Sequence, residues 1–158
     1  MYRIGIDLGG TNIAAAIVNK DFKIVKKMSV PTLAQREASL IMDDMGQLCK
    51  DVCVAAGISL DEIEAVGIAS PGVANHDDGI VEYSCNLPFR KFPICAELSS
   101  RIGVKNVHVE NDANAAAWGE AVAGAAKGTK NSVMIHRYRS NEYAFREPSR
   151  LPVCSLMP

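Results

Sequence analysis

Asp7-Leu8-Gly9-Gly10-Thr11-Asn12 sets a carboxylate, two residues without side chains and two small polar side chains directly after the apolar run Ile4-Gly5-Ile6. Backbone N–H groups at Gly9 and Gly10 can approach a phosphate closely, Thr11 and Asn12 add side-chain donors, and Asp7 is placed to hold a metal ion through water. The same residues also make an ordinary hairpin turn whose glycines permit positive φ, and the short motif by itself leaves both readings open. Much later, Glu110-Asn111-Asp112-Ala113-Asn114 puts an amide beside a carboxylate where Val107-His108-Val109 gives way to an alanine-rich stretch. Asp112 is a favoured helix N-cap, and it is equally a candidate general base at the strand end where open α/β sheets bind ligands. Asn111 offers a donor and an acceptor suited to a polyol. Gly72, in Ser70-Pro71-Gly72, and Asn86 are turn residues by type, yet both follow strands on what should be the same edge.

The elements that must position these residues are read from periodicity. Ile4-Gly5-Ile6 and residues 13–18 form a hairpin, and residues 22–30, closed by Pro31, add a third antiparallel strand. Between Thr32 and Gly57 the apolar residues Leu40, Ile41, Met45, Leu48, Val52 and Val54 recur at helical spacing, with Gly57 as the stop. Residues 65–69 form a nearly continuous apolar strand of the kind covered on both faces. A short edge strand is expected at 80–83, a helix at 93–102 ending at Gly103, and a strand at 107–110. A helix follows from Asp112 to about Gly124, and one more strand begins at 132–135. Trp118 is assigned to the core, and His76 and His108 to solvent or structural roles.

The chain has 158 residues, 48% of them hydrophobic, which is enough for one core. A net charge of −1 gives no global attraction to nucleic acid or to an anionic membrane. No run of about 18 apolar residues and no secretory signal is present, so a cytoplasmic location is expected. Cys49, Cys53, Cys85, Cys95 and Cys154 are odd in number and lack a metal-binding spacing, so buried free thiols are expected. All 12 glycines lie at or before Gly128, while residues 136–158 hold four arginines, three prolines and no lysine. This tail is expected to be irregular.

Asp7-Leu8-Gly9-Gly10-Thr11-Asn12, Ala69-Ser70-Pro71-Gly72-Val73, Asn86-Leu87-Pro88 and Glu110-Asn111-Asp112-Ala113-Asn114-Ala115 follow one another in the order and spacing of a known family. Over about residues 2–135 the chain resembles the ROK family of sugar kinases and related repressors, and most of all its bacterial glucokinase branch. The resemblance implies an α/β fold, the N-terminal lobe of an actin- and hexokinase-like (ribonuclease H-like) ATPase. Its mixed sheet would have three antiparallel strands first and helices flanking it. It further implies that Gly9, Gly10, Thr11 and Asn12 form the first phosphate loop for ATP, with Asp7 near Mg2+. Gly72, Asn86, Asn111 and Asp112 would lie against a hexose. Asp112 would take the proton from the sugar's 6-hydroxyl as that oxygen attacks the γ-phosphate.

The family pattern then calls for a second glycine-rich phosphate loop, a zinc motif of histidine and cysteines, further sugar ligands and an adenosine pocket. After Ile135 this sequence reads His136-Arg137-Tyr138-Arg139 instead, and no zinc is assigned. The expected division is an N-terminal lobe at 1–135 and an atypical tail at 136–158, from another reading frame or an unrelated junction, with negligible kinase activity in this chain alone. The alternatives are a non-catalytic sugar-binding remnant and the sugar-sensing domain of the repressor branch. A first strand beginning by Arg3 leaves no room for a preceding DNA-binding helix-turn-helix. Expected partners are a sugar and a nucleotide, without nucleic acid or membrane, and self-association is expected where the other lobe would pack.

Overall fold

A computed structural model describes residues 1–130, 133 and 134. The chain divides into a unit of residues 1–112 and a second unit from Ala113 onward. In the first unit, β1 (Tyr2–Leu8) and β2 (Asn12–Asn19) form the expected hairpin, and β3 (Ile24–Pro31) completes the antiparallel meander. Helix α1 (Ala38–Ala56) carries the chain across to β4 (Ile63–Ser70), which lies parallel to β1 as a helical crossover allows. A second sheet follows, built from β5 (Val73–Asn75), β6 (Ile80–Tyr83) and β7 (Arg90–Phe92). Helix α2 (Ile94–Ile102) then leads to β8 (Val107–Asn111), parallel to β4. The main sheet has the order β3-β2-β1-β4-β8.

The core forms where one face of this sheet meets α1 and α2. Ile4, Ile6, Leu8, Ile13, Ile17, Val66, Ile68 and Val109 point into it from the strands. Ile41, Met45, Leu48 and Val52 meet them from α1, and Ile94 and Leu98 from α2. The helices approach closely at Gly46, where a Cβ would stand 3.1 Å from the Cβ of Arg101. Arg101 in turn pairs with Asp43 on α1, at 2.7 Å, and with Glu97 on its own helix. Gly57 ends α1 in the left-handed region at φ 68°, and the N–H groups of Gly57 and Ile58 bond back to Val54 and Cys53.

Several sequence expectations change here. Helix α1 begins at Ala38, and Thr32 lies in the connection before it, fully buried. Leu40 and Val54, assigned to the apolar stripe, are exposed because at 100° per residue they lie about 140° and 180° around the helix from Met45. Met42, Cys49 and Cys53 take those places in the core. Strand β6 is central in its own sheet, since β5 and β7, too short to show alternation, flank it. Strand β4 is not covered on both faces: Ile63, Val66, Ile68 and Ser70 are buried while Glu64 and Gly67 are exposed.

Cys49, Cys53 and Cys95 are buried free thiols as expected, whereas Cys85 is exposed in the loop after β6. Burial pushes the Cys49 thiol up to about 12 and that of Cys95 up to about 11. Cys154 lies outside the described residues. Among the described residues no helix is long and apolar enough to cross a membrane. The imidazoles of His76 and His108 are exposed, the first beside Asp77 and the second on the amide oxygen of Asn106.

Helix α3 (Asp112–Ala123) begins at the last residue of the first unit, and its other residues belong to the second. Trp118 is 60% exposed rather than core, because a helix made mostly of alanine and glycine has no stripe of large side chains to bury it with. Val133 and Met134 form no strand and stay exposed, so the expected strand at 132–135 is not present at these two positions. A strand exists only through a ladder with a neighbour, and an apolar pair alone does not supply one. Ser132, Ile135 and the tail at 136–158 lie outside the described residues.

Candidate functional site

The turn between β1 and β2 is closed by the Gly9 N–H, which donates to the Asn12 carbonyl at 3.0 Å. Neither Gly9 nor Gly10 has a positive φ, which corrects the expectation drawn from the Gly-Gly pair. What glycine supplies is room. A Cβ on Gly9 would sit 3.0 Å from the Asn12 carbonyl oxygen, and one on Gly10 would sit 3.4 Å from the Cβ of Asn86. The turn thus presents bare backbone at Gly10, open to close approach, with Thr11 and Asn12 exposed beside it.

Sequence reasoning missed the residue beneath this turn. Thr32 donates its hydroxyl to the Gly9 carbonyl at 2.7 Å and its N–H to the Thr11 carbonyl at 2.8 Å. Its own carbonyl accepts from Arg36 Nη2 at 3.0 Å, and the same guanidinium pairs with Asp44 on α1. A threonine just after the strand-closing Pro31 was the available signal, hidden by assigning Thr32 to the start of the helix.

Register places the remaining residues. Strands β1, β4 and β8 are parallel, with Asp7 beside Ala69, Ala69 beside Glu110, and Ser70 beside Asn111. The glycine turn, Pro71-Gly72 and Asp112 therefore all leave the sheet at one edge. Two strand spacings put the β8 row about 10 Å from the β1 row, a span a phosphate and a sugar can fill together. Asp7 is exposed and shares a face with a second carboxylate, Glu110. Glu110 accepts a bond from the Asn111 N–H at 2.8 Å.

Three contacts tie the loops together. Asn111 Nδ2 donates to the Gly72 carbonyl at 2.9 Å, joining the ends of β8 and β4. Gly72 has φ 99°, and a Cβ there would overlap the Tyr83 carbonyl oxygen at 2.1 Å, so only glycine fits where the chain crosses the end of β6. From that end the chain runs through Ser84 and Cys85 to Asn86, which closes against Gly10. Gly10, Gly72, Asn86 and Asn111 are thus linked in pairs around one edge. Asp112 follows as the first residue of α3, inside its first turn.

Three antiparallel strands joined to two parallel ones, with a bare glycine turn after the first, define an N-terminal lobe of the actin- and hexokinase-like fold class. The ROK family profile matches residues 3–136, and the chain belongs to the ROK family. It is 39% identical over 132 residues to a glucokinase of Streptomyces coelicolor, which covers 84% of this chain and 39% of the relative. A glucokinase of Thermotoga maritima is 36% identical over 133 residues, 84% of this chain and 40% of its own length. Among solved structures, a ROK family glucokinase from Streptomyces griseus in complex with glucose and AMPPNP superposes with a TM-score of 0.73 at 35% identity. That match covers 81% of this chain and 38% of the other. The chain therefore spans about two fifths of the length of the curated relatives it matches.

Proposed function

We propose that residues 1–135 are the N-terminal lobe of an ATP-dependent hexose kinase that phosphorylates glucose at its 6-hydroxyl. On sequence grounds residues 136–158, which depart from the family pattern, are not assigned to that lobe. The single observation that carries this reading is the shared edge, where the bare Gly10 turn, Asn86, the Gly72–Asn111 pair and Asp112 gather at the carboxyl ends of parallel strands. The glucokinase relatives and the neighbour holding glucose and AMPPNP support it.

In this reading Gly9, Gly10, Thr11 and Asn12 receive the terminal phosphates of ATP, and the exposed carboxylate of Asp7 holds Mg2+ through water. The cation neutralises phosphate charge when bound. Gly72, Asn86 and Asn111 seat the sugar. Asp112 accepts the 6-hydroxyl proton while O6 bonds to the γ-phosphorus and the bond to ADP breaks. A positioned base contributes about 10²–10⁴-fold, and the phosphate clamp at least as much. A cytoplasmic location is part of this reading.

A second reading is sugar binding without turnover, in which glucose binds and Mg·AMPPNP does not. Calorimetry with glucose and with Mg·AMPPNP, beside a coupled assay with glucose and ATP, separates the two. Binding of both ligands with negligible turnover is the outcome expected of this chain alone. Turnover near an ordinary kcat of about 10 s⁻¹ refutes the expected inactivity, and failure to bind either ligand refutes the kinase-lobe reading.

A further inference from the structure

We infer that Thr32 is a positioning residue for phosphate binding, its hydroxyl fixing the direction in which the Gly10 N–H is presented. The inference rests on the proposed phosphate role of the turn. A trans peptide is planar, with its C=O and N–H pointing opposite ways, and the described residues contain no cis peptide bond. The Gly9 carbonyl and the Gly10 N–H belong to one such unit. When the Thr32 hydroxyl holds the Gly9 carbonyl at 2.7 Å, the Gly10 N–H is turned away from Thr32, toward the open side of the turn. The Gly9 N–H is already spent on the Asn12 carbonyl, so the Gly10 amide is the one this clamp makes available between the two glycines.

Glycine peptides rotate more easily than any others, so a bare Gly-Gly unit without an anchor would lose the amide's aim. Thr32 is well suited to supply one. It is fully buried, its N–H holds the neighbouring Thr11 carbonyl, and its own carbonyl is held by Arg36, which is anchored in turn by Asp44 of α1. The turn is therefore braced from the helix through a fully buried side chain.

The test uses the full chain, with Thr32→Val, which keeps shape and N–H but removes the hydroxyl, and Thr32→Ser, which restores it. Proton–nitrogen NMR spectra follow the Gly10 amide with and without Mg·AMPPNP, and calorimetry gives affinities for Mg·AMPPNP and glucose separately. Thr32→Val is expected to displace the unliganded Gly10 resonance and weaken Mg·AMPPNP about tenfold, the scale of one lost buried hydrogen bond, with glucose affinity within about twofold. Thr32→Ser is expected to recover nucleotide affinity to within about threefold of the wild type.

An unmoved Gly10 resonance in Thr32→Val, or an equal loss for both ligands, overturns the inference. If Mg·AMPPNP leaves the wild-type Gly10 amide unmoved, the phosphate reading of the turn fails, while the unliganded spectra still decide whether the hydroxyl sets the peptide. Should Thr32→Val not fold, the wild-type Thr32 hydroxyl proton decides that point. Slow exchange with solvent supports the clamp, and fast exchange overturns it.

Discussion

The two faces of the main sheet are built from the same strands and do different work. Along β1, Ile4, Ile6 and Leu8 are buried under α1 and α2, while the alternating Arg3, Gly5 and Asp7 are exposed. Strand β4 repeats the division, with Ile68 buried and its neighbour Gly67 exposed beside Gly5. Successive side chains of a strand point to opposite faces, so stability and chemistry are separated by a single residue step. The covered face holds the sheet's shape. The open face, with Asp7 and Glu110 in one row, can present carboxylates without unpacking anything.

Adjacent substitutions on β4 give the largest contrast. Ile68→Ala is expected to destabilise the chain by about 2–5 kcal/mol in a urea titration, because it empties a packed site in the core. A cost below that range would mean the covered face is not the sole source of sheet stability.

Next in size are changes at the ligand edge. Asp7→Asn is expected to leave the urea midpoint almost unmoved, within about 0.5 kcal/mol as for ordinary surface substitutions, yet weaken Mg·AMPPNP binding about tenfold. Asn111→Ala, which removes the bond to the Gly72 carbonyl, is expected to weaken glucose about tenfold and to cost about 0.5–1.5 kcal/mol of stability. If Asp7→Asn destabilises the fold as Ile68→Ala does, the division between faces fails.

Alkaline pH probes the covered face from within. The folded-state Cys49 thiol is raised from 9.0 to about 12 by burial, with a smaller push from Cys53, so the folded protein keeps a proton that the unfolded chain gives up. Its contribution to stability is whole below pH 9 and is lost as pH rises from there to about 12. Denaturant midpoints are expected to fall across that window, and to fall less in Cys49→Ala. The smallest effect belongs to the open face. A Cβ at Gly67 meets nothing within 4 Å, so Gly67→Ala should change stability by less than about 1 kcal/mol, toward stabilisation.

Much of this was legible in the sequence because it is local. Two apolar runs about the Gly-Gly pair marked the first hairpin, and Gly57 and Gly103 marked helix ends that the structure places at Ala56 and Ile102. Residues in four separate motifs proved to share one edge, as Gly10, Gly72, Asn86 and Asn111 show. Less visible were strands of three residues such as β5 and β7, whose length hides any period. Trp118 was misplaced because size and apolarity favour burial, but a single large residue on an alanine helix finds no partners of its own.

By itself the amino-acid order determined which backbone stretches alternate, where helices stop, and which polar residues stand at strand ends, since each depends on neighbours a few positions away. Tertiary structure alone decided that Asp7 lies on the open face, that Gly10 meets Asn86, and that Thr32 braces the turn from 23 residues away. Those outcomes are set by strand register and by which carbonyl a buried hydroxyl reaches, and both are fixed only when distant segments pack against one another.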